Sequence, residues 1–379
     1  MSATATALGS ERDEVQPWLH SRNWDLTFII LNVVLVTVPY LSYLGLMRLD
    51  QLLGPIATTF GTNVDDISRN IINATVALLI GGPHMYATFT RTALDKDYVK
   101  KHPRVVWTSL AIPVIVVSLA LFNLQLLLTV FFFWASIHVL HQIIFITEMY
   151  NHKQATSLTL FSRVADYAVI LTSLYPLAAW KIYNNNFAIG LNNLSGTIRL
   201  VFDTIGIPWG NWMVWLAGIA FGASLLLWLV KTVIEWRKGA LHIPKTLFIG
   251  LTVLAAFWVP SLGNLDTAFQ GMNLWHSLQY LSLTWMLNNL RTQRGDNEHK
   301  PFLKRISEDG SARKYYLFNV GLTVADVALA GVIFVVLRFV VGFEFDAAFD
   351  RAYYIAILSF LWIHYYHDHF LFAEPDVIR

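Results

Sequence analysis

Seven of the chain's 12 histidines, His84, His138, His141, His276, His364, His367 and His369, lie inside strongly apolar runs. An ionisable side chain there is costly and normally serves a site. A single such histidine is as readily explained as a cap on a neighbouring carbonyl. Seven on four runs are not. Imidazole nitrogens suit iron, copper, zinc or nickel, and helical bundles build metal centres from facing side chains. A haem or chlorophyll ligand pair, or a hydrogen-bonded proton or ion path, are the alternative chemistries. Helical spacing groups the candidates. His138, His141, Glu148 and His152 share one stripe, flanked by Gln142. His364, His367 and Asp368 share another, with His369 pointing elsewhere. His276, Gln279 and Tyr280 share a face, as do His84, Thr88 and Arg91. Glu148 and Asp368 are candidate acceptors that orient imidazoles from behind. Tyr280 is a candidate donor to O2. Asp166 and Asp326 also fall inside apolar runs, as ion-pair partners, proton relays or satisfied helix contacts.

These residues need elements that hold them at one depth. A membrane helix takes about 20 mostly apolar residues, and such runs fall at 24–47, 67–90, 105–123, 126–149, 157–180, 208–230, 246–263, 266–290, 315–337 and 348–372. The expected fold is therefore all-α, a polytopic bundle of about ten transmembrane helices. Residues 1–23 form a cytoplasmic segment, 24–372 a single transmembrane domain and 373–379 a cytoplasmic tail. Glu11, Asp13 and Glu14, with no short apolar core, argue against a signal peptide in the first segment. With both termini inside, 21 of the 27 lysines and arginines face the cytoplasm and six face out, as the positive-inside rule asks. The second, fourth, eighth and tenth runs then all descend from the outer face. At about 1.5 Å per residue, His84, His138, His276 and His364 fall in one layer, in the middle to cytoplasmic half of the bilayer. Residues 48–66 read as an amphipathic stretch on the membrane surface, and the Asn-rich segment 181–207 as a cap over the bundle. Phe131, Phe132, Phe133 and Trp134 read as a lipid-facing stripe in preference to a tunnel.

Composition narrows the function classes. Apolar residues make up 55% and charged residues 14%, with mean hydropathy +0.50. An ordinary soluble domain carries about 25% charged residues. A net charge of +2 gives no nucleic-acid footprint. The absence of cysteine excludes disulfides, thiolate metal sites, iron–sulfur clusters and thiol catalysis. A multi-pass integral membrane protein is expected, with a bacterial inner membrane as its compartment.

Four short motifs resemble a known family. Gly82-Pro83-His84 is similar to the Gly-x-Pro-His-Gly motif of the Brp/Blh β-carotene 15,15′-dioxygenases, and Ser136-Ile137-His138 to their Ser-Ile-x-His-Phe-Gly segment. His276-Ser277 resembles their Ile-His-Ser-x-x-His motif, and His364 with Asp368 the final His-x-x-x-x-Asp segment. Thr88 stands where the first motif is followed by Asp, and Tyr280 where the third has its second histidine. The resemblance implies a membrane-embedded non-haem iron enzyme that splits a carotenoid with O2, with His84, His138, His276 and His364 as the ligands of Fe(II). The expected function is thus an oxygenase acting on a lipophilic unsaturated molecule, a carotenoid, isoprenoid or lipid. The additional His141 and His367 leave room for a second iron, bridged by Glu148 or Asp368. That would shift the chemistry towards a di-iron hydroxylase or desaturase with an external electron donor, although His-x-x-His-His boxes are absent. A haem- or pigment-binding subunit of a membrane complex is a further alternative.

Overall fold

Apolar runs of this length close their backbone hydrogen bonds within themselves, which makes helix the natural outcome. The computed structural model describes residues 17–373, apart from 60–61, 155–157 and 190–191. Most of the expected cytoplasmic segment and the tail beyond residue 373 lie outside the described residues. Each of the ten expected runs is helical: α1 (Arg22–Met47), α2 (64–90), α3 (Pro103–Phe122), α4 (Leu124–His152), α5 (160–183), α6 (Asn211–Arg237), α7 (Ile243–Ser261), α8 (Leu265–Gln293), α9 (Ala312–Val341) and α10 (Phe345–Phe372). α5 is two helices, Leu160–Thr172 and Tyr175–Tyr183, with a turn before Pro176. Side chains set the starts: Asn63, Asn123, Thr159 and Asn264 each accept a backbone N–H of the first turn of α2, α4, α5 and α8.

Six helices, α1, α3, α4, α6, α7 and α9, are long and apolar enough to cross a membrane. The other four miss that mark: α5 because it is broken into two short helices, and α2, α8 and α10 with many buried polar residues on their inward faces. Position in the bundle follows. Only 17% of the most apolar stretch of α6 or α9 is buried, against 56% for α4. α8 is the hub: its polar residues from Asp266 to Asn289 are largely buried, and it packs on α1, α2 and α9.

Close backbone approach makes this packing tight at two glycines. A Cβ on Gly271 of α8 would lie 1.9 Å from the carbonyl oxygen of Val36 in α1. One on Gly82 of α2 would lie 2.2 Å from the Thr323 methyl of α9. α1 departs locally from α geometry, with a wider π turn at Leu26–Ile30 and a tighter 3-10 stretch at Leu31–Thr37. The Ile29 carbonyl accepts a 2.6 Å hydrogen bond from Gln279 Nε2 of α8.

The connecting segments carry structure of their own. A helix forms at Asp50–Thr59 in the amphipathic stretch. The Asn-rich segment forms a short hairpin, Ala188–Ile189 against Asn192–Asn193, and a helix, Ser195–Thr204. Ile189, Leu194 and Ile198 cap α4 through Leu128. The aromatic stripe departs from its expected place. Phe131 and Phe132 pack on Phe269 of α8, with ring centroids 5.5 and 5.0 Å apart, and Trp134 packs on Trp362 of α10 at 5.2 Å. A helix packed on several neighbours has little outward face left for its aromatics.

Candidate metal centre

His84 sits on a short α-helical piece of α2, Gly82–Ala87, between a π turn at Ala77–Gly81 and a 3-10 turn at Thr88–Thr90. Such turns within a helix leave carbonyls without their usual partners and occur at functional sites. Here the Gly81 carbonyl accepts from His84 Nδ1. That places the His84 proton on Nδ1 and leaves the Nε2 lone pair facing inward.

Three more helices bring their histidines to the same place. His138 of α4, His276 of α8 and His364 of α10 are buried with His84, none more than 4% exposed. Ring centroids are 5.2 Å apart for His84–His276, 4.7 Å for His84–His364, 5.0 Å for His138–His276 and 4.7 Å for His138–His364. All four contacts are near edge-to-face. Nitrogens of His84, His276 and His364 lie within 4.8 Å of one another, as do ligand atoms of His138, His364 and Asp368. The single layer expected from helix rise is thus what the bundle builds.

The orphaned atoms matter most. Nε2 of His84, His138, His276 and His364 is buried without a hydrogen-bond partner, and so is Nδ1 of His276. Buried polar atoms normally find partners, and each one left unmade costs about 1–3 kcal/mol. A cation accepting these lone pairs would remove that cost. The donor set fits a first-row transition ion.

Asp368 closes the site from behind. Its Oδ1 accepts from Tyr280 OH at 2.6 Å and from Thr88 Oγ1 at 3.1 Å. Its Oδ2 lies 3.4 Å from His364 Nδ1 and 4.0 Å from His138 Nε2. Thr88 Oγ1 also meets His364 Nδ1 and lies 2.6 Å from Tyr280 OH. Tyr365 stacks on His138 with centroids 4.1 Å apart.

The remaining expected residues stand elsewhere. His141 turns to a crevice beside α10, its ring 5.5 Å from His369 and 5.2 Å from Phe372. His367 faces Tyr98, whose hydroxyl lies 3.1 Å from its Nδ1. Glu148 is engaged by Tyr167 OH, by Asn151 Nδ2 at 2.9 Å and by Arg163 Nε at 3.2 Å. None of the three joins the groups above. The reason is angular: residues three apart on a helix differ by about 60° in direction. That is enough to send His138 and His141, or His364 and His367, into different clefts. Asp166 pairs with Lys231 at 2.9 Å and Lys245 at 3.3 Å, an ion pair away from the histidines. Thr88, Tyr365 and Phe372 were not assigned these contacts from sequence. Thr88 shares a helix face with His84, which was the available signal, whereas the two aromatics act only through contacts between distant helices.

No family model, curated protein or solved structure matches the chain.

Proposed function

We propose that this chain is a multi-pass membrane enzyme in which His84, His138, His276 and His364 hold one Fe(II), and which uses O2 to cleave an unsaturated lipophilic molecule. The observation that carries this reading is a cluster of four buried imidazoles with neighbouring ring centroids 4.7–5.2 Å apart, each with an Nε2 that has no partner. Imidazoles from four helices are a donor set that iron accepts, and the four-motif resemblance selects iron over zinc or copper. A bound ferrous ion supplies the redox centre for O2 chemistry. The chain's own residues do the rest. The Gly81 carbonyl holds the His84 ring, and Thr88 with Asp368 holds that of His364. Tyr280 keeps its proton directed at Asp368. Burial of the four imidazoles keeps bulk water from the site. Adding O2 across a cleaved C=C bond gives two carbonyl groups and consumes no outside electrons, so no reductase is required.

The positions of His141 and His367 favour one metal over two, and so cleavage over hydroxylation or desaturation. Ring centroids 4.7–5.2 Å apart leave no slot for a planar macrocycle among the four imidazoles, which disfavours the haem or pigment reading. All ten helices cross the bilayer in this proposal, with both termini cytoplasmic and a bacterial inner membrane as the compartment.

Metal analysis of the purified protein tests it. Iron is expected at about one per chain. Alanine at any of the four histidines should lower it, and alanine at exposed His299 should not. Stoichiometric zinc or copper in place of iron would overturn the metal, and full occupancy in all four variants would overturn the site.

A further inference from the structure

A crevice of about 270 Å³ opens between α4, α5 and the end of α10, lined by His141, Phe145, Glu148, Arg163, Tyr167 and Phe372 among others. Phe372 forms the wall between this space and the histidine cluster. Its ring centroid lies 5.2 Å from His141 and 4.9 Å from Phe145 on the crevice side. On the other side it lies 6.0 Å from His138, nearly parallel, and 6.3 Å from Tyr280. One aromatic ring thus divides an open cleft from a closed site. Phe372 is also the last residue of α10, where opening a helix end costs little.

The lining indicates what fits. Its charges cancel internally, because Arg163 and Glu148 pair and Tyr167 donates to the same carboxylate. Among the described lining residues no charge is left over to recruit an ion. His141 makes no hydrogen bond among the described residues, and a neutral imidazole offers both a donor and an acceptor. The volume falls just below the usual range of small-molecule pockets, about 300–1,000 Å³, so only one end of a long molecule enters. Leu160, Phe161 and Val164, beside Arg163, are 79%, 45% and 51% exposed and give an apolar approach from outside.

We propose that this crevice binds one end of an uncharged lipophilic molecule through a hydroxyl or carbonyl hydrogen-bonded to His141, with Phe372 as the partition before the histidine cluster. The binding stands on the crevice alone; what the cluster does to the molecule rests on the function proposed above.

Photolabelling of the full-length, metal-free protein in lipid nanodiscs tests this. The probe is a long-chain fatty alcohol with a diazirine beside the hydroxyl, compared with the matching fatty carboxylate. Cross-links from the alcohol should map to α4 near Phe145 and to the end of α10, and exceed those from the carboxylate. His141→Phe should lower them about fivefold, the ~1 kcal/mol of one hydrogen bond, while His141→Gln retains them. Phe145→Trp, which fills the crevice, should abolish them. Phe372→Ala should add cross-links on α8 near His276 and Tyr280. Labelling no stronger than on the outward face of α6, equal labelling by the carboxylate, or indifference to both Phe145→Trp and His141→Phe would overturn the proposal. Iron content of protein purified in parallel without metal removal separates the two ideas. Correct labelling of a protein that takes no iron sinks the enzyme but leaves the site, and an iron-replete protein without labelling sinks the site alone.

Discussion

Thr88 Oγ1 meets three groups at once: His364 Nδ1, Tyr280 OH at 2.6 Å and Asp368 Oδ1 at 3.1 Å. A hydroxyl has one proton to give and can accept two. If Thr88 donates to the carboxylate, it accepts from His364 Nδ1–H, and the His364 lone pair is then on Nε2, facing the other imidazoles. Groups behind a metal ligand typically carry about 10–100-fold in affinity or activity. Thr88→Val and Asp368→Asn should each weaken metal binding within that range, read by titration of the purified protein, and Thr88→Ser should restore most of it. Glu148→Gln should leave affinity unchanged, because its carboxylate is occupied by Tyr167, Asn151 and Arg163. The four histidines were legible in the sequence as ionisable residues in apolar runs and in four motifs. The selection of Asp368 over Glu148 was not, because both lie on helix faces that carry a histidine and only the neighbouring helix distinguishes them.

Elements are tied to one another by buried charge. Lys231 of α6 and Lys245 of α7 both reach Asp166 of α5, at 2.9 and 3.3 Å, and all three are at most 1% exposed. Lys231 also pairs with Glu235 at 3.0 Å, and Lys245 donates to Asn151 of α4 at 2.9 Å. Removing one member of such a cluster strands the others, at about 3–5 kcal/mol. Asp166→Asn should destabilise by that order, measured by thermal unfolding in detergent, with metal affinity unchanged in the folded fraction. A second clamp joins the segment after α2 to the last turn of α8 and the segment that follows it. Asp95 lies 2.6 Å from Arg291 and 2.7 Å from Lys300. Burial alone would raise the Asp95 pKa, but Lys300 and Arg291 outweigh it and hold the carboxyl below its usual range. A lowered folded-state pKa stabilises above the unfolded value of about 3.9 and is lost as pH falls through the folded value. Acidification below about pH 4 should therefore loosen this clamp, seen as faster amide exchange in residues 91–102, and Asp95→Asn should show that exchange at neutral pH.

At the scale of the molecule, the charge distribution sets a testable orientation. If the chain crosses ten times with both termini inside, 21 of its 27 basic residues fall on the cytoplasmic side, so reporter fusions after Lys101, Lys238 and Lys304 should read cytoplasmic and fusions near Asn193 external. An external signal at Lys304 would break the arrangement of ten spans. The four helices that fall short of the length or apolarity of a membrane span are informative here. α2, α8 and α10 carry three of the four clustered histidines, and α5 carries Asp166. Polar inward faces go with the lower hydropathy of α2, α8 and α10, and α1, α3, α6 and α9 bury only 17–33% of their most apolar stretches.

What the sequence determined by itself is the set of elements and their content: ten helical runs, no thiol chemistry, and histidines at matching depth on four of them. Those follow from local quantities, apolar run length and rise per residue, which need no knowledge of neighbours. The tertiary structure decided which faces meet. It brought His84, His138, His276 and His364 into one cluster, turned His141 towards a crevice and His367 towards Tyr98, and placed Phe372 between crevice and cluster. A periodic pattern fixes direction around a helix axis only to within a turn's width. Helix rotation, packing order and the close approaches at Gly82 and Gly271 resolve the remaining tens of degrees, and they depend on residues far apart in the chain.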